Sequence, residues 1–244
     1  MLFTICPAKS MLYATFRFFL LILISIINLC LPFSCYTVCM MSALYTQPSA
    51  AAASGDVILR RGKGPVSSVI AWYLHDGSHC SHCALIVGKN DLAEAGCLFS
   101  EKRIGFGETA KDISSENLLV VHSVAACLSG VNGVQIETFR GFLQHSVPGT
   151  DVVYRPFMDD AVRRRTIAEA AAAVDRAVPF DHLYRAGNQD ALYCSSFLLR
   201  IFSQAGWAGC CSRQTKHGIL CFSSFTDPRW YKRIYPCPEY VPHI

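Results

Sequence analysis

The chain has 244 residues, 52% of them hydrophobic and only 16% charged, with a net charge of +4. That length suits one ordinary domain plus an appended segment. A charge so small and so scattered excludes an electrostatic nucleic-acid surface, since the one dense basic run, Arg163-Arg164-Arg165, falls on a predicted helix as a solvated face.

The apolar excess lies at the front. Phe18 to Leu31 reads FFLLILISIINLCL behind Lys9 and Arg17, and no charged residue follows until Asp56. This run is shorter than the roughly 20 residues that span a bilayer. It reaches spanning length only if the flanking residues are counted, with Arg17 then inside. Residues 1–41 are therefore read as a membrane anchor or a cleaved signal. Met40 and Met41 offer alternative starts, which would leave the body cytoplasmic. Residues 42–54, small and polar, are a linker by composition.

The folded body is expected over residues 55–244. Val57-Ile58-Leu59 is a first strand, and Ser67–Leu74 a short buried helix. His82–Gly88 is a strand in which His82, Ala84 and Ile86 share one face while Cys83, Leu85 and Val87 share the other. Residues 91–117 lack periodicity and read as an insertion. Leu118–Val124 is a strand carrying His122, and Gly133–Glu137 follows after a turn marked by Gly130, Asn132 and Gly133. Val152–Arg155 extends the sheet, and a helix capped by Asp159 or Asp160 runs to about Ala177. Tyr193–Ala205 is a second clear helix with Gly206 as its stop, and the remainder is irregular. Strands framed by helices make this an α+β domain rather than a doubly wound sheet.

Thirteen cysteines without regular spacing leave the redox compartment open. Among them Cys194 stands apart, because it opens a helix. There the thiolate, which is the nucleophilic form, is stabilised by the helix N-terminus. His82, at the head of a strand, is the candidate base. His122, mid-strand, is either a core histidine or the group that orients His82. The Cys194 backbone N–H is a natural oxyanion donor, and the Tyr193 hydroxyl a weaker second candidate. A competing metal reading uses the loop His75 to Cys83, where Cys80 and Cys83 are spaced like half of a zinc site with His75 and His79 nearby. No second pair completes it. Cys210, Cys211, His217 and Cys221 form a looser cluster, for which packing or disulfide chemistry is the simpler reading. No cofactor and no metal are expected.

At these residues the chain resembles the permuted papain-like hydrolases, in the YiiX/YaeF-like branch of the NlpC-type superfamily, related to the lecithin retinol acyltransferase group. Gly55-Asp56-Val57-Ile58 is similar to that branch's opening strand and Ser67-Ser68-Val69-Ile70 to its serine-bearing helix. Ser81-His82-Cys83-Ala84-Leu85-Ile86-Val87 resembles its Ser-His strand. Phe180-Asp181 with Tyr193-Cys194-Ser195 looks like its Phe-Asp and Tyr-Cys-Ser signature. The likeness covers residues 55 to about 205, with histidine before cysteine as in the permuted branch. Two positions depart from it. Ser196 stands where bacterial relatives often have glutamate, and His122 stands where they commonly place a glutamate; a histidine there is similar to the acyltransferase-like relatives. For the fold, the resemblance implies a permuted papain-like domain whose small antiparallel sheet packs on the helix that carries Cys194. The resemblance implies a Cys194-His82-His122 triad that forms a thioester with an amide- or ester-containing small molecule, peptide or lipid. Water as acceptor makes an amidase or peptidase, whereas an amine or lyso-lipid makes an acyltransferase. The reading from another class is a non-catalytic, membrane-tethered zinc or interaction module.

Overall fold

The computed structural model describes residues 51–74, 76–97, 103–185, 187–207, 214–215 and 218–235. The hydrophobic front segment, most of the linker, His75, Cys210, Cys211 and His217 lie outside them. Among the described residues no helix is long and apolar enough to cross a membrane.

Six strands form one antiparallel sheet: β1 (Val57–Arg60), β2 (His82–Gly88), β3 (Leu118–Val124), β4 (Gly133–Thr138), β5 (Val152–Pro156) and β6 (Tyr231–Tyr235). Their spatial order is β4-β3-β2-β1-β5-β6. β1 and β2 read as nearly continuous apolar runs because both faces of the sheet are covered there. β6 places Lys232 and Arg233 outward between buried Tyr231 and Tyr235, and charges on an outer strand discourage edge-to-edge pairing. Those two consecutive charges also break the alternation, which is why this strand reads as irregular in the sequence.

Seven α-helices accompany the sheet among the described residues: α1 (Pro65–Leu74), α2 (Lys89–Glu94), α3 (Ala110–Ser115), α4 (Ala126–Ser129), α5 (Phe139–Gln144), α6 (Asp160–Asp175) and α7 (Cys194–Gln204). α6 starts where predicted, with the Asp159 carboxylate accepting from the Val162 N–H at 2.7 Å. It buries a face of small residues, Thr166, Ala170, Ala171 and Ala173, with Ile167 and Val174, and lies against α7. α7 ends in a Schellman turn. Gly206 takes φ +80°, its N–H donates to Ser203 O, and the Trp207 N–H donates to Phe202 O. The accompanying apolar contact is the edge-on pair of Trp207 and Phe202, 5.0 Å between centroids.

One expectation needs correction, and a second segment is more ordered than its sequence suggests. α1 is not a buried helix: only Leu74 is buried, and Trp72 is 65% exposed. Ile70, Tyr73 and Leu74 share the inward side at i, i+3, i+4 spacing, which leaves Trp72 on the opposite side. Residues 91–117, which read as an insertion, are packed where the structure describes them. They hold α2 and α3 and bury Leu92, Cys97, Ile104 and Ile113. Leu92 and Ile113 sit in six-residue helices, too short to show a period, and Cys97 and Ile104 lie outside any helix or strand. Thr109 and Asp112 close a reciprocal capping box at α3, and the Glu108 carboxylate accepts from the Thr138 N–H at 2.7 Å, tying this segment to the end of β4.

α7 lies on β2 and β3, over a core that includes Cys83, Leu85, Val87, Leu119, Val121, Phe197, Leu198, Ile201 and Phe202. The opposite face is smaller and is built from Ile58, Ala84, Ile86, Val120, Val153, Phe139 and Phe142. The alternation read in β2 therefore holds: Cys83 faces α7 and Ala84 the other side.

Candidate active site

Cys194 is the first residue of α7 and is 9% exposed. Its helix starts cleanly because Ser196 Oγ accepts from the Tyr193 N–H at 2.9 Å. Ser195 Oγ donates to Leu220 O at 3.0 Å, and Ser123 Oγ on β3 donates to Leu192 O just before the helix. These bonds place the thiol at the seam where the β2–β3 ladder stops. The last registered pair there is Leu85 with Val121, so Cys83 lies beyond it. Instead the Cys83 N–H and side chain hydrogen-bond the Cys194 sulfur, together with the N–H groups of Ser195 and Cys194 itself. Those bonds hold the Cys194 thiol below its ordinary value despite the burial that opposes them.

The peptide unit that joins His82 to Cys83 is thus the one that touches the thiol. No hydrogen bond joins Cys194 to His82 among the described residues. The His82 ring turns instead to His122, with Nε2 to Nδ1 at 2.8 Å. His122 is fully buried, its Nε2 lying 3.4 Å from Gln135 Nε2 and 3.5 Å from Glu137 Oε2. Glu137 Oε1 is 3.4 Å from Nε2 of the half-exposed His145, whose ring stacks on Phe106 at 4.4 Å. Phe142 packs against both His82 and His122, at 5.8 and 5.6 Å between centroids.

Arg60 closes the group. It pairs with His82 across β1 and β2, is 5% exposed, donates from Nη1 to Phe142 O, and sets its guanidinium 3.9 Å from the Phe142 centroid. Burial, then the Arg60 charge, pull both His82 and His122 well below the usual histidine value, helped by His122 in the first case and by His145 in the second. Both rings are neutral at neutral pH. Burial pushes Glu137 up to about 8 against the pull of Arg60, and Asp151 up to about 6.

The sequence-derived candidates have therefore been placed as follows. His82 and His122 meet directly, and Cys194 meets the residue after His82. Tyr193 turns inward: it is 1% exposed, its hydroxyl accepts from the Leu220 N–H at 2.9 Å, and burial holds that hydroxyl well above the usual tyrosine value. Asp56 and Asp181, both in motifs of the resemblance, are bracing groups. Arg155 grips Asp56 through two bonds of 2.8 Å, and Asp181 accepts from the N–H groups of Leu183 and Arg185.

Sequence reasoning missed Arg60, Gln135, Glu137 and His145, and it read Cys83 only as a candidate metal ligand on the packing face of its strand. A signal existed for the two on β4: Gln135 and Glu137 alternate with Val134 and Ile136, so one face of a buried strand is polar.

No family model and no curated protein matches the sequence. Among solved structures, the fold matches the crystal structure titled metalloprotein yiiX from Escherichia coli O157:H7 (DUF1105), with a TM-score of 0.52, 14% identity, 77% of this chain covered and 99% of that one. The fold is YiiX-like. The word metalloprotein belongs to that protein. In this YiiX-like chain no group of three or more His, Cys, Asp or Glu is disposed to hold a metal ion among the described residues. Cys83 is turned to Cys194, and Cys80 donates to Ser78 O at 3.1 Å inside a turn braced by Asp76. Cys80 and Cys83 therefore do not converge on one ion among the described residues, and His75 lies outside them.

Proposed function

We propose that the chain is a cysteine-dependent hydrolase of the permuted papain-like kind, with Cys194 as nucleophile, His82 as base and His122 as the residue that orients His82. The observation that carries the reading is the seam between β2 and β3. A thiol cradled by helix-start N–H groups sits there against the His82–Cys83 peptide, and the His82 ring is fixed by His122 at 2.8 Å. Because both imidazoles are neutral, His82 is ready to receive a proton as the sulfur attacks.

The steps balance without a cofactor. Sulfur bonds to the substrate carbonyl carbon while the thiol proton passes to His82. The oxyanion is met by backbone N–H at the start of α7. The carbon–leaving-group bond breaks as His82 returns the proton to the departing amine or alcohol, which leaves a thioester. Water then adds to the thioester carbonyl with His82 as base, the acid departs, and the thiol is restored. An amine or lyso-lipid taking water's place would make the same residues an acyltransferase, and residues 1–41 would hold the domain at a membrane. Limiting alkylation below neutral pH, followed by peptide mapping, tests the nucleophile. Cys194 is expected to label before the other cysteines, and labelling of Cys80 or Cys127 with Cys194 untouched would overturn the assignment. Thioester trapping with a panel of acyl esters and amides, quenched by water, amines or lyso-lipids, reads the acceptor.

A further inference from the structure

The polar cluster behind His122 is larger than orienting one ring requires. Three of its groups, Arg60 Nε and both oxygens of Glu137, are buried with no hydrogen bond of good geometry. A buried carboxyl that completes none of its bonds is a costly group to keep. Glu137 is 0% exposed, and its nearest nitrogens are Nε2 of His122 and Nε2 of His145.

Tautomer bookkeeping gives it a use. For His82 to accept a proton at Nδ1, its Nε2 must carry the hydrogen and donate to His122 Nδ1. His122 must then carry its own hydrogen on Nε2. Two groups compete for that nitrogen. Gln135 stands at 3.4 Å with its amide nitrogen, and its Oε1 accepts from Ser129 Oγ at 2.9 Å. Ser129 has a single proton and a second acceptor, Val131 O at 2.8 Å, so the Gln135 amide can turn over and present either a donor or an acceptor. An ionised carboxylate presents only acceptors. Gln135 follows whatever tautomer is present, whereas Glu137 decides it.

We propose that Glu137 is a positioning residue that fixes His122 with its hydrogen on Nε2, and so leaves His82 Nδ1 with a bare lone pair for the thiol proton. The proposal rests on the Cys194–His82 reading above. It adds a fourth member, on β4, to a line that runs from β2 through β3.

The groups facing Glu137 are His122 from β3, His145 after α5, Arg60 from β1 and Glu108 before α3. Burial raises its carboxyl, Arg60 opposes this, and Glu108 adds to it, for a value of about 8. Below that pH the carboxyl offers a donor as well as an acceptor, and the histidine tautomers are mixed. Above it only acceptors remain, and one tautomer is left.

The test is long-range 15N–1H correlation of the full chain labelled with 15N-histidine, between pH 6.5 and 9. In the wild type, His122 Nε2 is expected to move toward the N–H type as pH rises through about 8. In Glu137→Gln it is expected not to move. Turnover should follow: the wild-type rate should climb through the same range, and Glu137→Gln should be roughly 10–100-fold slower at the alkaline end, the scale known for groups that orient metal-ligating histidines. His122 Nε2 bare throughout the wild-type titration, or a variant that titrates as the wild type does, would overturn the proposal. The wild-type titration stands on its own if the variant does not fold. Failure of the parent reading looks different, because His82→Ala would then keep full turnover while the His122 signal still shifted.

Discussion

The two faces of the central sheet use the same strands for different work. On the α7 side, Cys83, Leu85 and Val87 of β2 and Leu119 and Val121 of β3 meet Phe197, Leu198, Ile201 and Phe202 in an apolar layer. On the other side, Ala84, Ile86 and Val120 form a small apolar patch. Beyond it the four strands β1 to β4 carry Arg60, His82, His122, Gln135 and Glu137. Burial is nearly complete on both. On the first face it supplies stability through apolar area removed from water. On the second it supplies altered proton affinities, because the same dryness penalises charge. Cys194 joins them: it grows from the helix of the first face and reaches the seam beside the second. The proposed chemistry occupies the margin of the apolar layer, where Cys194 at 9% exposed meets the buried polar groups.

Substitutions should separate the faces. The largest effects belong to the reacting groups. Cys194→Ala should abolish thioester formation, and His82→Ala should cost about 10²–10⁴-fold or more in turnover, both with an unfolding midpoint close to wild type. A large loss of midpoint in either would show that the polar face also holds the fold. Next comes Phe197→Ala on the α7 side, where deletion of a fully buried ring should cost about 3–5 kcal/mol in denaturant unfolding.

His122 lies between these cases. His122→Ala should slow turnover less than His82→Ala, and His122→Glu should recover part of the loss, because a carboxylate also accepts from His82 Nε2–H. A wild-type rate in His122→Ala would reduce the proposed triad to a dyad.

Proton linkage gives a finer comparison. Folded Glu137 keeps its proton from its unfolded value near 4.5 up to about 8, so within that window the folded state binds more protons and stability falls as pH rises. Asp151 acts in the same direction up to about 6. His82 and His122 act oppositely: their folded values lie below 6.5, so their contribution is complete above 6.5 and lost as pH falls. Thermal midpoints between pH 6.5 and 8 should therefore decline more steeply in the wild type than in Glu137→Gln, and equal slopes would place the carboxyl in an ordinary environment. The smallest effect is expected at exposed Trp72, where Trp72→Ala should change stability by no more than about 0.5 kcal/mol.

Much of this could be read locally. Alternation in β2 assigned Cys83 and Ala84 to opposite faces. Asp159 and Gly206 marked the start of α6 and the stop of α7, and the helix-opening Cys194 and strand-heading His82 stood out as chemistry before any fold was known. Caps, alternation and helix starts are interactions between near neighbours, so the chain writes them in adjacent letters. What the tertiary structure decided is which polar residues meet. Arg60, His82, His122 and Glu137 come from four strands brought side by side by the order β4-β3-β2-β1, and period-two alternation states a residue's face but not its neighbour. Nor could the sequence say that the β2–β3 ladder stops at Leu85 and Val121. That stop leaves the Cys83 N–H for the Cys194 sulfur, and it follows from where α7 docks on the sheet.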